Sequence, residues 1–176
     1  MTKRASDISG ANSNHVLFLD GSTNTITTST VIAGVTITGG QADGGSLGAD
    51  VESNWGGGLY CEARGGECSP TLRNVVFAGN TASKDGGALK NNAENTAGTS
   101  SPVIVNAVFT GNTAADQGGA LFSAEASPEI SNSIFWDDSA TNEGNEAYKV
   151  GSTVPMTFSY TIVQEGASGI GGAGSP

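Results

Sequence analysis

The densest run of residues able to do chemistry is Trp136-Asp137-Asp138, followed in the same segment by Glu143 and Glu146. An aromatic ring beside paired acids suits a sugar ring or a calcium ion, whose hard oxygen preference matches carboxylates. Asp137, Asp138 and Glu143 are therefore the candidate metal ligands, and Trp136 and Trp55 the candidate glycan platforms. A second acidic group, Asp43, Asp50 and Glu52 in DGGSLGADVE, lacks the Asp-x-Asp/Asn-x-Asp/Asn-Gly spacing of a calcium loop. His15 is the single histidine, so a zinc cluster or His-based triad would have to be built around one residue; it reads as an ordinary strand residue. Polysaccharide lyase chemistry needs a Lys or Arg base beside clustered carboxylates. Arg4, Arg64 and Arg73 are scattered, and Lys84 aligns with Asp116 one repeat later, which predicts an exposed ion pair. No glycine pair opens a Gly-x-x-x-x-Gly-Lys-Ser/Thr phosphate loop. The sequence thus predicts no enzyme and no resident cofactor, with calcium as the one ion its acids would suit. Cys61 and Cys68 flank Gly65 and Gly66, which allow a tight reversal. Either they form a disulfide, closing an eight-residue ring worth roughly 2.5 kcal/mol in an oxidising compartment, or they are two free thiols in a loop.

The elements that would position these residues come from internal repetition. Ser69–Leu89 (SPTLRNVVFAGNTASKDGGAL) recurs from Ser101 as SPVIVNAVFTGNTAADQGGAL, and in weaker form from Ser127 as SPEISNSIFWDDSATNEGNEA. Degenerate copies start near Val31 and near residue 155, and HVLFLDG from His15 reads as one more. Apolar runs of three to five β-branched residues punctuated by Gly, Asn and Pro exclude helical repeats and predict short strands. A unit of about 26 residues with two or three strands is one coil of a β-solenoid. The fold expectation is all-β: a single parallel β-helix domain over residues 1–176, with repeat coils starting near 31, 69, 101, 127 and 155. Roughly six coils advancing about 4.8 Å each make a section on the order of 30 Å long.

Stacking explains the repeated residue types. Asn74, Asn106 and Asn132 form one expected ladder, and Asn80, Asn112 and Asp138 a second, at corners where Asn tolerates left-handed backbone. Phe77, Phe109 and Phe135 form an aromatic column, and Leu72, Ile104 and Ile130 an aliphatic one. Length variation falls in NNAENTAGTSS and in residues 41–55, which read as surface loops.

Asn-x-x-Phe-x-x-Asn-x-Ala followed by Gly-Gly-Ala-Leu, with Ser-Pro ahead of it, resembles the bacterial right-handed parallel β-helix repeat proteins and the related repeats of the chlamydial polymorphic outer-membrane proteins. The resemblance implies right-handed coiling and secretion within a larger surface protein. Signal, N-terminal cap and C-terminal anchor are not read in the chain, which looks like an internal piece or a trimmed form.

Seven Lys plus Arg against seventeen Asp plus Glu give a net charge of −10, which repels nucleic acid phosphates. No apolar run approaches the length of a membrane span, so direct membrane insertion is not expected. The functional expectation is an extracellular or cell-surface structural and adhesive solenoid, able to assemble head to tail into a homopolymeric filament and to meet surface glycans. The alternative is a polysaccharide-binding or lyase-like β-helix.

Overall fold

The computed structural model describes residues 6–22, 25–44, 53–93 and 98–172, with side chains from residue 14 onward. Arg4, Asp50 and Glu52 lie outside the described residues. Each full turn of the chain lays one short strand on each of two all-parallel sheets and two on a third. Sheet one stacks Leu17–Asp20, Leu59–Glu62, Leu89–Asn92, Leu121–Ala124, Ala147–Val150 and Ile170–Gly172. Sheet two stacks Val31–Ala33, Thr71–Arg73, Val103–Val105, Glu129–Ser131 and Thr157–Ser159. Sheet three stacks Val35–Ala42, Val76–Ala78, Val108–Thr110, Ile134–Trp136 and Ile162–Val163, with Ser6–Ser13 pairing to Val35–Ala42; from the end of Val35–Ala42 it continues through Thr81–Ala82, Thr113–Ala114 and Ser139–Ala140. The molecule is a parallel β-helix.

Register follows the repeat without slippage. Leu72, Ile104 and Ile130 pair directly on sheet two, as do Phe77, Phe109 and Phe135 on sheet three. Ring centroids of the phenylalanine column are 4.9 and 4.4 Å apart with planes 4° and 11° from parallel. Strand spacing holds the rings at stacking distance, and each pair adds about 1 kcal/mol to the burial of its rings. Leu59, Leu89 and Leu121 close the core from sheet one.

The corner between sheets two and three is left-handed at every described turn, at Gly34 (φ 70°), Asn74 (54°), Asn106 (54°), Asn132 (50°) and Tyr160 (51°). Glycine and asparagine adopt this conformation cheaply; tyrosine does not.

The loop expectations need correction at their edges. Gln41 and Ala42 belong to a strand and pair with Thr81 and Ala82. Asn91 and Asn92 are buried in sheet one, between Cys61-Glu62 and Ser123-Ala124, because parallel pairing on both sides satisfies their backbone. Among the described residues no helix is long and apolar enough to cross a membrane.

Candidate functional site: an exposed aromatic strip and a buried carboxyl pair

The acidic coil does not bring its residues together as one group. Trp136 ends a sheet-three strand and points outward, 51% exposed. Asp137 is exposed and takes the left-handed turn position (φ 64°) that Gly111 and Gly79 hold one and two coils earlier; its N–H donates to Gln164 Oε1. Asp138 turns inward and is 6% exposed. Its Oδ1 accepts from Asn112 N–H at 2.8 Å and Asn112 Nδ2 at 2.7 Å, continuing the ladder in which Asn112 Oδ1 accepts from Asn80 N–H and Nδ2, both at 3.0 Å. Glu143 is exposed and bridges to Gln117, facing an open depression of about 400 Å³ with Asn142, Asn145 and Ser168. Asp137, Asp138 and Glu143 thus have three different surroundings, and among the described residues no three His, Cys, Asp or Glu side chains converge as a ligand set.

Glu146, in contrast, meets Asp138. It stands in register beside Ala120, at the alanine of the Gly-Gly-Ala-Leu motif, and is 1% exposed. The two carboxyl groups face each other, and burial pushes both above the carboxylate range, Asp138 to about 6 and Glu146 to about 8. Sequence reasoning missed this contact. Its signal was present: the third repeat copy exchanges Asn for Asp and Ala for Glu together, at two inward positions.

Trp136 and Trp55, the two candidate glycan platforms, stand on different faces. Trp55 lies over sheet one, its ring 3.5 Å from Lys90 Nζ and edge-on to Tyr60. Lys90 is buried, paired with Asp85 at 3.6 Å and flanked by Phe122. A desolvated ammonium between two rings and a carboxylate is an internal cation–π sandwich, so Trp55 is committed to packing. Beside it, Glu62 accepts from the Tyr60 hydroxyl and from Asn92 Nδ2 at 2.9 Å. His15 stacks on Phe18 and packs at a tilt against Tyr60, its Nδ1 is 3.1 Å from the Gly56 carbonyl oxygen, and burial lowers its pKa.

Trp136 instead belongs to an outward strip on sheet three. Ile134 pairs with Ile162, both exposed, and Tyr160 stands at the preceding corner, 90% exposed. Tyr160 holds the corner position of Asn132, Asn106 and Asn74, whose exposed ladder includes an Asn106 Nδ2 to Asn74 Oδ1 bond of 3.1 Å. The strip therefore combines two exposed aromatics, an aliphatic floor and a rail of amides.

The remaining charged residues stay dispersed. Arg73 is exposed on sheet two and Arg64 sits in a left-handed turn beside Glu62. Lys84 and Asp116 do not form the ion pair predicted from the repeat: Asp116 Oδ1 accepts from Asn142 Nδ2 of the next coil at 2.7 Å, and Lys84 lies toward Trp55, 5.6 Å from its ring. Cys61 and Cys68 are joined by a disulfide with Cα atoms 5.8 Å apart, and with Ala63 and Ala93 they form a second small core under the turn from sheet one to sheet two.

Comparison with known proteins finds one family. The model of the Chlamydia polymorphic membrane protein repeat matches residues 74–92 and 106–124. Each match opens on a left-handed corner asparagine, runs through the buried Phe and Asn ladders, and ends in a sheet-one strand. No curated protein and no solved structure matches the chain. The chain is a parallel β-helix, two stretches of which match the model of the Chlamydia polymorphic membrane protein repeat.

Proposed function

We propose that the chain is a structural solenoid of the bacterial cell surface, a rigid rod that carries a binding face away from the cell. The observation behind this reading is the axial stacking of like residues. Side chains from successive coils fill the interior with no chemistry addressed to a substrate, which suits a spacer. The family match, to a repeat of membrane proteins, supports a surface location. The disulfide agrees with an oxidising compartment outside the cytosol.

Negative-stain electron microscopy over a concentration series tests the rod. Elongated particles are expected, and fibres at high concentration would add head-to-tail assembly. Round particles of unchanging shape would refute the reading.

A second reading, a glycan-binding face, is favoured by the strip of Tyr160, Ile134, Ile162 and Trp136. Aromatic rings offer stacking faces to sugars, and the neighbouring amide ladder offers donors and acceptors to hydroxyls. It predicts that Trp136→Ala abolishes retention on immobilised neutral polysaccharide while leaving the melting temperature unchanged. Equal retention by both proteins would remove Trp136 from any such site.

A further inference from the structure

We infer that Asp138 and Glu146 share one proton inside the coil, and that this proton is a clasp holding the Glu146 coil closed on its neighbours. The geometry makes the proton necessary. Asp138 Oδ1 is used by Asn112, whereas Asp138 Oδ2 and Glu146 Oε2 are buried with no N–H or O–H donor available to either. Two buried, facing carboxylates can hydrogen-bond only if one of them keeps its proton.

The groups packed around the pair supply no cation. From the coil on one side come the Asn112 amide and backbone; from their own coil, the Trp136 backbone and Asp137; from the coil on the other side, Gly169 and Glu165. The charges acting on Glu146, those of Asp138, Glu165 and Asp137, are all negative and add to desolvation in holding its proton. There is also no space for relaxation on one side: a Cβ placed on Gly169 would lie 3.0 Å from Glu146 Cγ, and Glu146 N–H donates to the Gly169 carbonyl at 3.0 Å. Glu146 is thus clamped between the two coils whose contact it controls.

The sign follows from linkage. Both carboxyls hold protons more tightly when the coil is closed than when it is open, so closure is fully favoured at low pH and weakens as pH rises. The pair titrates as a unit, at values pushed up to about 6 and about 8. Between these values the closed coil keeps one proton that the open coil releases, so the opening equilibrium should rise by roughly tenfold per pH unit. Above both, two like charges face each other in the interior. The device is an alkali-sensitive latch at one coil of the stack.

Hydrogen exchange with mass spectrometry on the whole chain reads the latch. After correction for the intrinsic pH dependence of exchange, amides of residues 144–150 and 162–172 should lose protection between pH 6 and pH 8, while those of 72–78 and 104–110 stay constant. Asp138→Asn should weaken the effect and move it to lower pH, because the amide keeps the Oδ1 bonds from Asn112, gives Glu146 a donor that needs no titration and removes one of the charges acting on it. Glu146→Gln should do the same through its own amide. At pH 7 the infrared band of a protonated carboxyl should be present in the native chain and weaker in both variants. Constant protection in the native chain, or the same pH dependence in Asp138→Asn, would overturn the inference. If Glu146→Gln fails to fold, Asp138→Asn alone decides, since it restores the residue type used in the preceding two coils.

Discussion

Replacing Asn112 by alanine removes the middle of the buried ladder. Asn112 Oδ1 accepts from the backbone N–H and the side-chain Nδ2 of Asn80, and its Nδ2 donates to the Phe77 carbonyl at 3.0 Å and to Asp138 Oδ1 at 2.7 Å. Truncation strands the backbone N–H and one Nδ2–H of Asn80, a residue with no exposure. An orphaned buried polar group costs about 1–3 kcal/mol, so the two together cost about 4 kcal/mol before the lost bond to Asp138 is counted. Asn106→Ala is the matched control. It lies on the exposed ladder, loses the 3.1 Å bond to Asn74, and places alanine at φ 54°, a cost of about 1–2 kcal/mol. Urea unfolding followed by far-ultraviolet circular dichroism separates them. With a slope near 2 kcal/mol per molar, Asn112→Ala should lower the midpoint by about 2 M and Asn106→Ala by less than about 1 M. Equal shifts would refute the reasoning, because they would mean that burial of the ladder contributes nothing beyond its hydrogen bonds.

Two further predictions rest on single residues. Cys61→Ser, or reduction of the native chain, should lower stability by roughly 2.5 kcal/mol, read as a lower melting temperature with reductant than without; no difference would mean that the turn is held by its backbone alone. Tyr160→Asn should stabilise the chain by about 1 kcal/mol, since asparagine relieves the left-handed strain at φ 51° and the ring it removes is almost fully exposed. A destabilised Tyr160→Asn would show that the ring makes contacts its exposure does not suggest, while weakened glycan retention alongside the gain would tie the strain to binding.

By itself the sequence determined which residues lie above one another. Parallel coils 4.8 Å apart tolerate no register error without breaking every ladder, so the ungapped alignment of Ser69, Ser101 and Ser127 already specified the pairing of Phe77 with Phe109 and Phe135, and of Leu72 with Ile104 and Ile130. The same logic placed Arg73 on an outward strand position, beside Val105. Contacts made around a coil, rather than along the axis, were left to the tertiary structure. Asp138 and Glu146 meet only because both point inward across a turn, and Trp55 finds Lys90 only because its ring reaches past Asp85, the residue in register with it, to the strand that follows. Lys84 and Asp116 failed as a pair for a related reason: the axial alignment was right, with Asp116 N–H on the Lys84 carbonyl, but each side chain found a better partner to one side. A repeat period constrains translation along the rod and says nothing about the rotation of a side chain or the path of a connecting segment, and these two freedoms are what place every contact that gives one coil a chemistry different from the next.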